Sequence, residues 1–418
     1  MALDNTNTLG IVSNSPRMRA VRHLIEWTQD GRLLAGQRLP AENRLAAKLN
    51  VSRTTIRLAL DDLEKQGFIR SEKRKRIVLN HIKPKRSFLS DAIVLIMDSP
   101  EQFNRSTMHG TWHSNFVHTG AVDAIRAAGY DALTLHPNRV AGDLLQRLIS
   151  EKPRGVIIMR RALEDKSCQH FVRAFREGNI PFVVCGDARL ARNDPKLMAG
   201  IDMVGSDHRA GSYAITKWLI ARGRKRILRL WKLPFGGPEE RENWLQCRDE
   251  GYEKAIKEAG LKSIPATEVY EGDNSAPYDS KENFDFNKLL IAGHLIKHLS
   301  GPKPIDAIMA VSDSTIGYIA AALRVHGKIP NKDVLLAGYD NMWEDQWFRK
   351  WEPRGPAITV DKKNLLIGRE LMALLQERID GKLFEAGERR VIKPDLIIFP
   401  GALSSSKQQA PLVQAILD

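Results

Sequence analysis

The sequence predicts an α/β protein in which a small, basic helical module precedes a two-lobed domain of doubly wound parallel sheets. Three observations support this prediction. The chain has 418 residues, which is too many for one ordinary domain. Positive charge is concentrated at one end, because residues 1–90 hold 18 Lys or Arg and 8 Asp or Glu, a balance of +10 out of a net +14. Beyond that region, short apolar segments alternate with amphipathic helical patterns, as in parallel sheets covered on both faces.

The composition excludes several classes of protein. The cysteines, Cys168, Cys185 and Cys247, lie far apart and form no C-x-x-C pair, so neither a disulfide framework nor a zinc site is expected. No apolar run approaches the roughly 18 residues of a membrane helix. Met1–Pro16 lacks the basic and then apolar pattern of a secretion signal. We therefore expect a cytoplasmic chain that has no membrane contact, metal or cofactor.

Three helices are predicted near the N-terminus. The first covers Met18–Asp30, and a second, short helix follows Pro40. The third is capped by Ser52 and extends through Gln66. Helical spacing turns one set of side chains inward, namely Val21, Leu24, Ile25, Thr28, Leu45, Leu49, Ile56, Ala59, Leu60 and Leu63.

Two short strands are predicted after these helices, Phe68–Arg70 and Arg76–Leu79, on either side of the basic segment Ser71–Lys75. Helix, helix, turn, helix and hairpin, in this order, is the winged helix-turn-helix arrangement. We assign residues 1–80 to this module, 81–90 to a linker and 91–418 to the two-lobed domain.

The start of the third helix has the chemistry of a DNA contact. Small hydroxyls and two guanidinium groups lie together at a positive helix end, on Ser52, Arg53, Thr54, Thr55 and Arg57. Backbone N–H groups at such an end bind phosphates well. An Arg there can also donate two hydrogen bonds to guanine O6 and N7. The alternative is an ordinary capped helix with solvated Arg side chains.

About fifty residues of this region resemble the GntR-type winged helix-turn-helix. The similarity lies in Gln37-Arg38-Leu39-Pro40-Ala41-Glu42, Leu45-Ala46, Val51-Ser52-Arg53-Thr54-Thr55-Ile56-Arg57, Ala59-Leu60, Leu63 and Gly67-Phe68-Ile69. The resemblance implies that Arg53, Thr54, Thr55 and Arg57 contact DNA and that Ser52 contacts phosphate.

Two positions depart from the family pattern. Asn43 stands where the family often has Arg, so that contact could be lost, replaced by the amide or moved to Arg44. The wing has no Gly-x-Gly tip and instead carries Lys73, Arg74 and Lys75. A basic tip of this kind can bind phosphates or a narrow minor groove.

The larger domain contains alternating strands and helices. Strands are predicted at Ala92–Met97, Ala132–Leu135, Gly155–Met159, Phe182–Cys185, Gly200–Val204, Ile227–Trp231, Ala307–Val311 and Val334–Tyr339. Helices are predicted at Val117–Ala128, Arg209–Ala221, Glu250–Ala259, Asn287–Leu299 and Ser314–His326. These strands are too many for one small sheet, so two lobes are expected, and the cleft between them is a natural ligand site.

This domain resembles the LacI/GalR-type sensor domain, a two-lobed relative of periplasmic sugar-binding proteins. The similarity lies in Asp207-His208-Arg209-Ala210-Gly211, Leu219-Ile220, Gly223, Ile227, Arg248-Asp249-Glu250-Gly251-Tyr252, Ile305 to Asp313, Gly327-Lys328-Ile329-Pro330 and Gly338-Tyr339-Asp340-Asn341. A GntR-type module joined to such a sensor is the arrangement of arabinose-type repressors.

The resemblance implies that Arg248, Ser312, Asp313 and Asp340 line the cleft, with Asp187 as a further candidate. Carboxylates and Arg suit a sugar, because its hydroxyls both donate and accept hydrogen bonds. Each residue also has a structural alternative. These alternatives are a surface or inter-lobe ion pair for Arg248, a turn after a strand for Asp340, and a helix cap for Ser312 and Asp313.

Three tryptophans, Trp343, Trp347 and Trp351, repeat every four residues. They could form an aromatic wall against a ligand ring, a buried helix face or a contact surface. The spacing favours packing, and Trp343 is the one expected to reach a ligand, because it closely follows Asp340.

The function expected from the whole sequence is a DNA-binding transcriptional regulator, by resemblance a repressor, whose operator affinity is controlled by a sugar or sugar derivative. A homodimer on double-stranded DNA is expected, since one winged module contacts only a half-site. No motif for an enzyme is present. Two alternatives remain, a GntR-type regulator with a pyridoxal-phosphate domain derived from an enzyme and a ligand-binding protein with no role on DNA.

Overall fold

A computed structural model describes most of the chain, and we discuss only those residues. They are 15–29, 32–34, 36–65, 68–72, 75–78, 88–97, 108–140, 144–159, 170–186, 199–233, 243–270, 276–383 and 387–399. The chain divides into two compact units, Met1–Ser87 and Phe88–Asp418. In the ranges above, no helix is both long enough and apolar enough to cross a membrane.

The smaller unit has the predicted order of elements. Helices α1 (Pro16–Gln29), α2 (Glu42–Leu49) and α3 (Arg53–Lys65) precede strands β1 (Ile69–Glu72) and β2 (Lys75–Val78). The two strands pair antiparallel. This is a winged helix-turn-helix.

The buried face of α3 is the predicted one, with Ile56, Ala59, Leu60 and Leu63 all buried.

The buried face of α1 differs in part from the prediction. Val21 and Leu24 are buried as expected, but Trp27 is also buried, while Ile25 and Thr28 are only half-buried. The reason is the size of the indole, which fills the inward position. The Lys48 ammonium lies 4.6 Å from the ring centroid of Trp27 and covers its outer face.

The larger unit begins with alternating strands and helices that belong to one lobe. In chain order they are β3 (Ala92–Ile96), α4 (Met108–Ala127), β4 (Asp131–Leu135), α5 (Leu145–Glu151), β5 (Gly155–Ile158), α6 (His170–Glu177), β6 (Phe182–Cys185) and β7 (Asp202–Ser206).

A second lobe follows. Its elements are α7 (His208–Ala221), β8 (Ile227–Leu233), α8 (Asn243–Glu258), β9 (Thr267–Tyr270), α9 (Lys281–Leu299), β10 (Ala307–Ala310), α10 (Ile316–Val325), β11 (Leu335–Ala337) and β12 (Ile358–Asp361). The chain then adds α11 (Asn364–Ile379), β13 (Arg389–Ile392) and β14 (Asp395–Ile398).

Each lobe is built on a sheet of six strands. The first sheet has the order β13-β7-β6-β5-β3-β4, and all its neighbours are parallel. The second has the order β14-β12-β11-β10-β8-β9 and is parallel except for the pair of β12 and β14. The predicted pair of doubly wound lobes is confirmed.

The chain crosses between the lobes after Ser206, after Asp361 and between Ile392 and Asp395. Four strands were missing from the sequence prediction: β9, β12, β13 and β14. Each has only four residues. In β13 the side chains alternate between exposed and half-buried, so it carries no apolar run to recognise.

Candidate DNA-binding surface and ligand site

The first turn of α3 is a capped, positive helix end. Ser52 Oγ accepts a hydrogen bond of 3.0 Å from the backbone N–H of Thr55, and it lies 2.8 Å from Thr55 Oγ1. No acidic residue is present in this turn. The end of the helix therefore keeps the positive dipole that attracts phosphate.

The residues predicted to contact DNA lie on the outer side of α3. Arg53, Thr54 and Arg57 are exposed, whereas Thr55 is half-buried because its hydroxyl joins the cap. Arg44 on α2 is exposed as well. The fold thus brings four of the predicted side chains, Arg53, Thr54, Arg57 and Ser52, onto one solvent-facing segment.

Glu42 links this segment to the wing. The sequence analysis did not predict this contact. Its carboxylate accepts hydrogen bonds from Arg53 Nε at 3.3 Å and from Arg76 Nη1 at 3.4 Å. Arg76 also binds Asp61 on α3 at 2.5 Å. The Glu of the Leu-Pro-x-Glu motif therefore holds α2, α3 and β2 in a fixed relation.

Only the base of the wing can be described. The backbones of Glu72 and Lys75 pair in the antiparallel register. The predicted contacts Lys73 and Arg74 lie outside the described residues, as does the side chain of Lys75.

The candidate ligand site lies at the carboxyl ends of the strands of the second lobe. Ser312 and Asp313 follow β10, Asp340 follows β11, and Lys362 follows β12 directly. Arg248 reaches the same place from α8. In open parallel sheets this edge is where ligands bind.

Arg248 is buried between aromatic rings. Its Cζ lies 3.4 Å from the ring centroid of Tyr339 and 4.5 Å from that of Trp244. Its Nη1 donates a hydrogen bond of 2.6 Å to the carbonyl of Val311. The stacked rings hold the plane of the guanidinium and leave its edge for polar contacts.

Asp340 lies between two cations. Its Oδ1 is 2.9 Å from Lys362 Nζ and 3.8 Å from Arg248 Nη2. All three side chains are buried. The pair of Arg248 and Asp340 is buried within the second lobe, so it is not the surface or inter-lobe ion pair considered as the alternative for Arg248. Asp340 does follow a strand, β11, as its own structural alternative predicted. The sequence prediction did not include Lys362, because it did not identify β12 and so could not place the residue that follows it.

The backbone at Asp340 is unusual and is held in place by its neighbours. Asp340 has φ of 93° and Asn341 has φ of 52°, a region that favours glycine. The Asp340 N–H donates to the Val360 carbonyl at 2.7 Å. Such a conformation persists when surrounding contacts determine it, and it is common at binding sites.

Asp313 provides many of those contacts. Its carboxylate accepts a hydrogen bond of 2.9 Å from the Met342 N–H, and Thr359 Oγ1 donates to it at 2.9 Å. Its own N–H donates to the Tyr339 carbonyl at 2.8 Å. Complete burial is the main cause that raises the pKa of Asp313 to about 8, and the nearby charge of Asp340 adds to the shift.

Ser312 and Trp343 have structural contacts in this fold. Ser312 Oγ accepts from the Ser314 N–H at 3.3 Å, which is the capping alternative. Trp343 packs against Phe348 and Gly355, and the tryptophans lie in two short 3-10 turns rather than on one helix. Roles for Ser312, Asp313 and Trp343 in ligand contact stay predictions, and Asp187 lies outside the described residues.

Comparison with protein families identifies both units. The family "Bacterial regulatory proteins, gntR family" matches residues 16–79. The family "Periplasmic binding proteins and sugar binding domain of LacI family" matches residues 111–400. Both predicted resemblances are therefore confirmed, and the second match covers more than half of the chain.

Individual proteins are similar at low sequence identity. The arabinose metabolism transcriptional repressor of Geobacillus stearothermophilus is 22% identical over 215 residues, which are 50% of this chain and 55% of that protein. The transcriptional regulator CelR of Thermobifida fusca is 27% identical over 222 residues, 53% of this chain and 56% of that protein. The alignments thus span about half the length of these two relatives. The repressor CytR of Escherichia coli is 24% identical over 360 residues, which cover 82% of this chain and 91% of CytR.

Solved structures agree with the fold. A LacI-family regulatory protein from Chloroflexus aggregans matches with a TM-score of 0.55 and 21% identity, over 74% of this chain and 97% of that one. The complex of CelR with cellobiose matches with a TM-score of 0.53 and 20% identity, over 86% of this chain and 99% of that one. This chain belongs to the family of periplasmic binding proteins and LacI-type sugar-binding domains, with a GntR-type helix-turn-helix region at its N-terminus.

Proposed function

We propose that this protein is a transcriptional regulator that binds a specific DNA operator and whose affinity for that operator changes when it binds a small ligand. One observation carries the proposal. A single chain combines an exposed, basic helix start at Arg53, Thr54 and Arg57 with a buried polar site around Arg248 and Asp340. The names of the relatives, two repressors and a regulator, agree with this function.

On the DNA, α3 would lie in the major groove. Arg53 and Arg57 would then reach base edges or phosphates, and the N-terminal N–H groups would bind the backbone. We infer a homodimer that acts in the cytoplasm, because one module of residues 1–80 covers only a half-site and operators with two-fold symmetry match a dimer. The larger domain, 91–418, would supply the dimer contacts, and residues 81–90 would link the two.

In the ligand site, we infer a sugar or sugar derivative bound between the lobes. Arg248 and Asp340 would hold neighbouring hydroxyls, as a donor and an acceptor. The solved relative CelR was captured with cellobiose, which supports a carbohydrate as the class. The ligand can change operator affinity only if it binds one arrangement of the lobes more tightly than the other.

A selection experiment tests the DNA half of the proposal. Full-length protein is incubated with a random duplex library, and bound sequences are enriched over several rounds. We expect a motif of two related half-sites, with affinity that falls steeply with salt, since Lys and Arg displace counterions from phosphates. Enrichment of no motif would overturn the DNA-binding function.

A thermal-shift screen tests the ligand half. A ligand that binds the folded protein stabilises it by mass action, by about 2.7 kcal/mol at a hundredfold excess over Kd. We expect at least one carbohydrate to raise the Tm of the wild-type protein and to leave the Tm of an Arg248→Gln variant unchanged. The same compound should alter operator affinity. A compound that stabilises the protein without any change in DNA binding would contradict the coupling.

A further inference from the structure

The charges of the ligand site point to the chemical class of the effector, on the premise of the proposed function that this site binds one. Arg248 is almost completely buried, with 2% of its surface exposed. Its Nη1 donates to a neutral carbonyl, and its Nε finds no acceptor among the described residues. Burying a guanidinium is costly unless an anion or several acceptors compensate for the lost water.

The nearest carboxylate, that of Asp340, does not form a hydrogen bond with Arg248. Asp340 Oδ1 is 3.8 Å from Nη2, which is too long for a hydrogen bond, whereas it is 2.9 Å from Lys362 Nζ. A bidentate Arg–carboxylate pair would have two contacts below about 3 Å. The carboxylate of Asp340 therefore lies closer to Lys362, and within the described part of the chain Nε of Arg248 remains without an acceptor.

Among the described residues, two further acidic groups lie in this region, and neither forms an ion pair with Arg248. Asp313 is fully buried, and the desolvation that raises its pKa to about 8 leaves its carboxyl mostly protonated at neutral pH. Asp207 caps α7, where its Oδ1 accepts a hydrogen bond of 2.8 Å from the Ala210 N–H. His208 also lies here, with its ring stacked on that of Tyr339 at 6.1 Å between centroids, but it is not an acidic residue.

We propose that the effector is an anionic sugar derivative, with a carboxylate or phosphate oxyanion that binds the forked donors of Arg248 beside Lys362. The flat guanidinium matches a carboxylate or phosphate with two parallel hydrogen bonds. The half-buried ring of Trp244 and the buried ring of Tyr339 fix the plane in which the oxyanion approaches. Asp340 then remains the acceptor for a hydroxyl of the same ligand.

Matched pairs of compounds test this proposal on the full-length protein. Galacturonate is compared with galactose, gluconate with glucose, and fructose bisphosphate with fructose, by thermal shift and then by calorimetric titration. We expect an anionic member to bind and its neutral partner, at equal concentration, to leave the Tm unchanged. The carboxylate pairs and the phosphate pair distinguish the two sources of the oxyanion.

Variants at Lys362 distinguish the effect of losing a positive charge from the effect of changing the structure of the site. Lys362→Met should weaken binding of the anionic compound roughly ten- to hundredfold, because it removes a positive charge beside the oxyanion and leaves Asp340 free to pair with Arg248. Lys362→Arg keeps the charge and should retain the preference for the anion. If Lys362→Met does not fold, the matched pairs of compounds on the wild-type protein and on the Lys362→Arg variant still test the assignment.

The possible outcomes are distinct. Tight binding of a neutral sugar, with no advantage for its acidic counterpart, would overturn the oxyanion assignment while leaving a sugar-controlled regulator in place. A Tm unchanged by all three anionic compounds would also count against it. Failure of the operator selection would instead remove the proposed regulator, whatever the ligand titrations give.

Discussion

Lys362 Nζ lies 2.9 Å from Asp340 Oδ1, and this contact joins the end of β12 to the loop that follows β11. Both side chains are buried, so water screens the pair weakly. The contact fixes Asp340 at a backbone conformation that favours glycine. The candidate ligand site therefore depends on a residue that immediately precedes the crossing from one lobe to the other.

This contact can be tested by stability. Lys362→Met should lower the free energy of unfolding by about 1–3 kcal/mol, because a buried carboxylate loses the cation paired with it. Lys362→Arg keeps a positive charge beside Asp340, so it should lower the free energy of unfolding by less. Urea unfolding of the two variants and the wild type measures the difference. Equal stability of all three proteins would show that the pair is not a structural contact.

Arg53 tests how the recognition helix contacts DNA. Arg53→Ala should weaken specific operator binding by about 1–3 kcal/mol if the side chain contacts a base. Arg53→Lys is the matched control, since it keeps the charge but loses the forked pair of donors. Titrations against the selected operator and against an unrelated duplex give the comparison. An equal loss on both duplexes would assign Arg53 to phosphate instead.

The core of the smaller unit can be tested within one helix. Ile56 is completely buried, whereas Leu58 on the same helix is 40% exposed. Ile56→Ala should destabilise this unit by about 2–5 kcal/mol through lost burial and a cavity. Leu58→Ala should change stability by less than about 0.5 kcal/mol. Thermal unfolding of both variants checks the prediction, and a larger cost at Leu58 would contradict the placement of α3.

Gly338 tests the packing beneath Asp340. A Cβ at this position would lie 1.7 Å from Asp313 Oδ1, so Gly338→Ala must displace the loop and should cost about 1–3 kcal/mol. Gly293 in α9 is the control, because a Cβ there meets nothing within 4 Å. Gly293→Ala should stabilise the protein by about 0.5–1 kcal/mol through helix propensity. A neutral Gly338→Ala variant would refute the close contact.

Asp313 predicts the pH dependence of stability. Its pKa is raised from an ordinary value of about 3.9 in the unfolded chain to about 8 in the fold, so folding favours the protonated form. Its contribution to stability is fully present below about pH 4 and is lost as the pH rises through about 8. Asp313→Asn imitates the neutral carboxyl, and its stability should fall less over this range. Denaturant unfolding at several pH values tests this, and parallel curves for both proteins would exclude it.

The elements that pack as regular, long or strongly apolar segments were predictable from the sequence. The inner face of α3, with Ile56, Ala59, Leu60 and Leu63, follows from helical spacing, and β3, with every side chain buried, follows from its apolar run. Strands β9, β12, β13 and β14 were not predictable, because each includes a charged residue among only four and its place depends on partners elsewhere in the chain.

The sequence by itself determined the fold class, the basic helix start and the motifs that mark Arg248 and Asp340, because these depend on local spacing and residue type. Only the tertiary structure decided which side chains meet. It placed Glu42 between Arg53 and Arg76, Trp27 in the core, and Lys362 on Asp340. These contacts join residues far apart in the chain, and no local pattern of hydrophobicity or charge specifies such distances.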